Sequence, residues 1–215
     1  MTTPIRIDFV SDVVCPWCAI GMHSLLRALE MLRDEVSVDL HIRAFELNPA
    51  MVPEGEDLAA HLAGKYGAGP EQFARTHDML KARGEELGFV FDLSKRSRIY
   101  NTFDAHRLLH AAGLAGKQLP LKLALLAAYF TEGQNISDHA VLLDVADSVG
   151  LDRASMQEVL ASDAHAEAVR QEEAFFQQAG ISAVPSVIVN ERHLIQGGQP
   201  VEAYVNALRQ IVAAG

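Results

Sequence analysis

Apolar positions recur along this chain with two different periods, and the changes of period divide it into three blocks. Residues 5–14, IRIDFVSDVV, are rich in Ile, Val and Phe and predict a buried strand. Met22, Leu25, Leu26, Leu29 and Leu32 follow at spacings that put them on one face of a helix. In VSVDLHIRA the period drops to two: Val36, Val38, Leu40 and Ile42 alternate with Ser37, Asp39, His41 and Arg43, a strand with one polar face. From about residue 57 helical spacing takes over, first through Phe73, His77, Leu80, Gly84 and Leu87. NTFDAHRLLHAA, PLKLALLAAYF and SDHAVLLDVADSVG predict further helices, the last with Ser137 as N-cap and Gly150 as its stop. A helix over residues 163–179 closes this run at Gly180. Two short strands, Val187 to Val189 and Leu194 to Ile195, then flank the turn NER as a hairpin, and a last helix from Val201 carries Tyr204, Val205, Leu208 and Ile211 on one side. An α/β sheet split around a helical insertion accounts for this order with the fewest elements.

Composition narrows the function classes. A chain of 215 residues can bury a good-sized core without disulfide staples, and 49% hydrophobic against 21% charged residues is an ordinary balance for a soluble globular protein. The net charge of -10 argues against nucleic acid as a partner, because that binding draws on Lys and Arg. MTTPIRIDFV lacks the basic start and apolar stretch of a secretory signal, so the cytoplasm is the expected location. No segment approaches the ~18 apolar residues of a membrane span. The most apolar one, LPLKLALLAAYF, is too short and carries Lys122.

Both cysteines of the chain lie in CPWC, residues 15–18. In a reducing compartment such a pair is more often metal-binding or redox-active than structural. At the junction of the first strand and first helix, Cys15 meets the free N–H groups and positive end of the helix dipole, which favour a thiolate. Pro16 suits the first helical position, and Cys18 lies one turn further along the same face, within disulfide reach. One sulfur attacks and the other resolves. A structural disulfide closing so small a loop, a zinc site with His106 and His110, and incidental core cysteines are the weaker readings. Later in the chain AVPS, residues 183–186, sets a proline directly before an apolar strand.

A C-x-x-C at a helix start, a helical insertion and VP before the third strand together resemble the DsbA family of the thioredoxin superfamily. FVSDVVCPWCAIG, FELNP at 45–49, NTFDAHRL at 101–108 and GGQP at 197–200 are similar to its FrnE-like branch, nearly end to end. The resemblance implies a thioredoxin fold with an inserted all-helical subdomain: residues 1–56 and 163–215 form the two parts of the thioredoxin fold and 57–162 the insertion. It also implies a cis bond between Val184 and Pro185, facing the cysteines. The function implied is thiol–disulfide exchange, with Trp17 shaping the rim beside Pro16, and with the backbone at Val184 and Pro185 holding an extended substrate. Some members of the branch carry a second cysteine pair near the C-terminus, which this chain lacks.

The same superfamily branch includes kappa-class glutathione transferases and 2-hydroxychromene-2-carboxylate isomerases, which usually have serine where Cys15 stands. A glutathione-dependent isomerase or transferase is therefore the alternative, and a peptide-binding chaperone without turnover the third reading. Asn48, Asn101 and His106 resemble positions lining the cleft between the lobes, although His106 and His110 read equally well as polar residues at a helix seam. Asp8, seven residues before Cys15, reads either as a proton acceptor for the resolving thiol or as a strand-end carboxylate in solvent. No metal and no tightly bound cofactor is implied, glutathione being a redox partner at most, and either a monomer or a homodimer is compatible. The Pro-Trp pair supplies no imidazolium beside Cys15, which leans the direction towards reductase or isomerase.

Overall fold

The segment rich in Ile, Val and Phe at the start of the chain becomes β1, Thr3–Ser11, a central strand with neighbours on both edges. It leads into α1, Pro16–Met31, and back to β2, Val36–Ala44, which lies parallel to β1 with Ile7 opposite Leu40. The computed structural model describes residues 2–67 and 69–214; Met1, Ala68 and Gly215 lie outside the described residues. The ends of the predicted blocks 1–56 and 163–215 include two of these, and the predicted insertion 57–162 includes the third.

The helical block contains α2, Leu58–Tyr66, α3, Pro70–Leu87, α4, Phe103–Leu114, α5, Gln118–Phe130, α6, His139–Ser148, α7, Arg153–Leu160, and α8, Ala166–Gln178. Two two-residue strands, Glu56–Asp57 (β3) and Arg98–Ile99 (β4), pair with each other and tie the start of this block to the segment before α4. The chain then returns to the main sheet with β5, Ser186–Val189, and β6, His193–Gln196, before ending in α9, Val201–Ala214. The sheet order is β2-β1-β5-β6, with β5 and β6 antiparallel to their neighbours. Asn190 and Glu191 both take positive φ in the hairpin turn, 52° and 57°. One continuous apolar core joins Ile7, Phe9 and Val187 of the sheet to Leu108, Leu125 and Tyr129 of the helices.

The outer edge of β2 is closed by side chains. Gln118 accepts a hydrogen bond from Ile42 N at 2.9 Å and donates one to Ile42 O at 3.0 Å, so its amide imitates a neighbouring strand. Glu172 accepts from Ala44 N at 2.7 Å.

Four details differ from the expectations. The first strand stops at Ser11 rather than residue 14, because the Asp12 carboxylate draws the backbone of Val13 out of the ladder by accepting its N–H at 2.7 Å. The N-cap of α6 is Asp138, which accepts from Ala140 N at 2.8 Å, whereas Ser137 Oγ donates to Pro53 O at 2.9 Å. The helix over 163–179 starts at Ala166, after His165 takes a left-handed φ of 62°. Helix α7 was not anticipated: it is short and half polar, begun by Asp152 accepting from Ser155 N.

Candidate active site around the cysteine pair

Cys15 is the N-cap of α1, with extended backbone, and Pro16 fills the first helical position. Its carbonyl accepts from Cys18 N at 3.0 Å and Ala19 N at 3.3 Å, so the helix winds directly from the cysteine. Cys15 keeps 4% of its surface open, while Cys18, a turn inside, has none, and both are free thiols. Burial pushes the Cys18 thiol well above its ordinary value; its hydrogen bond with Cys15 adds to this, and the charge of Lys122 opposes it.

The opposite wall comes from the far end of the chain. The Val184–Pro185 bond is cis, and Cys15 Sγ donates to Val184 O at 3.7 Å. Pro185 O in turn accepts from Gly197 N at 2.8 Å. The GGQP turn packs so closely on the cysteine helix that a Cβ on Gly198 would lie 2.8 Å from Trp17 O. Trp17 itself is half-buried against the main core.

Beneath the thiols lies a polar cluster in which Asp12 holds three donors. Its Oδ1 accepts from Val13 N and lies 3.3 Å from His106 Nε2, and its Oδ2 accepts from Leu47 N at 2.7 Å. Burial works against the Asp12 charge, yet the hydrogen bond from His106, the Leu47 amide and the Lys122 charge hold it below the usual carboxylate value. Lys122 is wholly buried and its Nζ has no hydrogen-bond partner among the described residues. Burial lowers its pKa, opposed by the charges of Cys18, Asp12 and Cys15.

A helix-capping cysteine, a second thiol one turn below, a facing cis-proline and a split four-stranded sheet form one constellation. The model of the DSBA-like thioredoxin domain matches residues 6–209. The chain belongs to that family. A crystal structure of a probable DsbA oxidoreductase, SCO1869 from Streptomyces coelicolor, is 31% identical with a TM-score of 0.90, covering 96% of this chain and 89% of that one. The uncharacterized protein YwbO of Bacillus subtilis (strain 168) is 25% identical over 95% of this chain and 96% of its own. The cytosolic disulfide reductase DsbM from Pseudomonas aeruginosa, in a structure with GSH, shares the fold at 16% identity, with a TM-score of 0.68 over 97% and 99% of the chains.

Within this DSBA-like fold the other candidate residues separate. His106 is drawn inward: it is 2% exposed and meets Asp12 rather than lining an open cleft. His110 stacks on His165, ring centroids 4.8 Å apart. Asn101 starts α4, its Oδ1 accepting from Phe103 N and its Nδ2 donating to Met51 O, both protein contacts. Asn48 Oδ1 accepts from Lys65 Nζ at 2.5 Å. Asp8 is neither in solvent nor free to take a proton: it is buried and accepts from Arg6 Nε at 2.9 Å and Arg43 Nε at 2.6 Å, and Arg43 continues to Glu172. The aspartate at the thiols is Asp12. The sequence reading missed it, together with Lys122, whose only signal was a lone charge in the most apolar helix.

No described helix is long and apolar enough to cross a membrane.

Proposed function

We propose that this DSBA-like protein is a thiol–disulfide oxidoreductase of the FrnE-like branch, working in a reducing compartment, the cytoplasm, with Cys15 as nucleophile and Cys18 as resolving thiol. The observation that carries the reading is the unequal setting of the two thiols. Cys15 has open surface at the head of a helix, whereas Cys18 is sealed below it. The Cys15 thiolate attacks one sulfur of a substrate disulfide, forming a mixed disulfide and releasing the other sulfur as a thiolate that takes a proton. Cys18 then loses its proton and attacks the Cys15 sulfur. The second substrate thiolate leaves, and the protein ends as the Cys15–Cys18 disulfide. The reverse sequence oxidises two substrate thiols through the same groups.

Deprotonation is the demanding step, since burial holds the Cys18 proton tightly. A charged Lys122 favours the thiolate that forms, and the Asp12 carboxylate favours that charged form against the effect of burial. Pro16, Trp17, Val184 and Pro185 border the sulfur that meets substrate, and the Val184 carbonyl is released to a substrate backbone when Cys15 gives up its thiol hydrogen bond. Glutathione is the expected small redox partner.

Trapping tests this reading. Cys18→Ser accumulates reducible mixed disulfides on Cys15, and Cys15→Ser accumulates none. Trapping by both variants or by neither overturns the scheme. Glutathione-dependent isomerisation that survives in Cys18→Ser replaces it with the isomerase.

A further inference from the structure

Arg96, in the segment between α3 and β4, keeps only 8% of its surface open, yet none of its guanidinium nitrogens donates a hydrogen bond to any described residue. Its Nε and Nη1 are fully buried without a partner, and no described carboxylate pairs with it. What holds it is the faces of two rings: the guanidinium carbon lies 5.3 Å from the Tyr129 centroid and 5.0 Å from that of Phe130. Ring faces meet the plane of the guanidinium and leave its in-plane donors empty. A charged, desolvated fork with no acceptor is an expensive arrangement unless an anion arrives from outside.

The neighbours agree. His77 Nε2 is also buried and unpartnered. Burial, and after it the charge of Arg96, lowers the His77 pKa, so the two groups share one region. Tyr129, under Arg96, stands seven positions from Lys122 on α5, two turns along the same face. The charges of Cys18 and Cys15 favour the charged form of Lys122, and the Cys15 charge acts in the same sense on Arg96. In a protein of net charge -10, two buried cations without a hydrogen-bond acceptor among the described residues, Arg96 and Lys122, therefore feel the charge of the cysteine pair, and the buried Asp12 carboxylate acts on Lys122 as well. Once the thiols are oxidised they carry no charge, and the deficit of anions is greatest.

We propose that Arg96, with His77 beside it, is the carboxylate-binding point of the cleft, so that small disulfides and thiols bearing a carboxylate are the preferred substrates. This rests on the exchange reading above and assigns the chemistry of what is exchanged. Glutathione disulfide carries the carboxylate, bis(2-hydroxyethyl) disulfide carries no charge, and cystamine carries the opposite one.

The experiment compares kcat/KM for these three disulfides in the parent protein, Arg96→Met and Arg96→Lys, with thermal unfolding as the check on folding. Loss of one charge-assisted hydrogen bond predicts that the preference for glutathione disulfide over bis(2-hydroxyethyl) disulfide falls about 10-fold or more in Arg96→Met, mainly through KM, with partial retention in Arg96→Lys. An equal loss for all three disulfides, or no loss, overturns the proposal. A disulfide-bearing peptide with Glu beside the cystine, against the same peptide with Gln, distinguishes the source: a loss confined to the acidic peptide assigns the carboxylate to a protein and overturns the small-substrate assignment. If the parent turns over none of the disulfides, the exchange reading fails by itself. Calorimetric binding of S-methylglutathione, which has no free thiol, then still decides for Arg96: weaker binding to Arg96→Met supports the subsite and equal binding overturns it.

Discussion

Two buried arginines in the helical block show opposite solutions to the same problem. Arg107, 5% exposed, spends its whole guanidinium: Nε donates to Ala164 O at 3.0 Å, Nη1 to Asp104 at 2.7 Å, and Nη2 to the carbonyls of Val159 and Ser162. Those carbonyls lie at the end of α7 and in the turn to α8, so the side chain clamps an irregular corner that has no ladder of its own. Arg96, buried to nearly the same degree, donates to no described residue. A saturated buried charge is part of the scaffold, and an unsaturated one leaves its donors open to an acceptor from outside. The same contrast separates the aspartates of the first strand and its exit: Asp8 is tied into an arginine network, whereas Asp12 sits among groups that feel the thiols.

The largest expected effect breaks the clamp. Arg107→Met strands three carbonyls and takes one partner from Asp104, which keeps His139, and is expected to cost about 3–5 kcal/mol in urea unfolding. Arg96→Met removes a cation that satisfies no hydrogen-bond acceptor among the described residues and keeps an apolar side chain against the two rings, so its stability is expected to stay within about 1 kcal/mol of the parent or to rise. A comparable loss in both variants would erase the distinction. Next in size is Asp12→Asn, which replaces a three-donor carboxylate by a group with one acceptor oxygen and is expected to cost about 2 kcal/mol at neutral pH. The Asp12 pKa is held below its unfolded value, so its contribution is present above about pH 4 and fades as pH falls through the folded value. The difference between parent and Asp12→Asn should shrink in that acid window. Lys122→Met is smaller and opposite in sign: relief from burying an unpartnered ammonium is expected to stabilise the fold by about 1 kcal/mol while slowing release of the mixed disulfide from Cys15.

The frame of this molecule was legible because local chemistry and tertiary need agree there. Strict alternation marks β2, the cysteine and proline mark the head of α1, and NER between two apolar runs marks the hairpin. The layer beneath the thiols was not legible. Asp12 looked like one more strand residue, since its partners Leu47 and His106 come from distant positions in the chain. NTFDAHRL stood out as a motif, but its residues divide by destination: Asn101 starts the helix, Arg107 clamps a corner, and His106 alone reaches the carboxylate by the thiols. Arg96 lies in KRSR, where no periodicity distinguishes it from a solvated charge run. Only the packing of Tyr129 and Phe130 around it shows that it is buried. Strands β3 and β4, two residues each, are too short for any period to register.

The smallest effect sharpens the comparison of the two arginines through a third residue. His77 has a pKa below the ordinary imidazole value, first because it is partly buried and second because Arg96 is close. A histidine depressed in this way stays neutral in the folded protein at a pH where the unfolded chain takes up a proton. Folding stability is therefore lost as pH falls below about 6.5, until the folded value is reached. His23, half-buried against Phe89 with its Nδ1 on Ala19 O, shifts in the same direction and contributes a loss of the same sign. Arg96→Met removes the charge from His77 and leaves the surroundings of His23 as they were. The difference in acid sensitivity between parent and variant consequently isolates the coupling of His77 to Arg96. Because His77 retains solvent contact, that difference is discounted for screening to a few tenths of a kcal/mol, on the order of an exposed ion pair. Urea midpoints at about pH 7.5 and 5.5 for parent, Arg96→Met and Arg107→Met measure it, with an NMR titration of the His77 ring as the direct readout. Arg96→Met should move the His77 titration upward and flatten the acid loss, whereas Arg107→Met should leave it in place. An unmoved His77 titration in Arg96→Met would mean that the two groups do not share one site, and the carboxylate point would then rest on Arg96 alone.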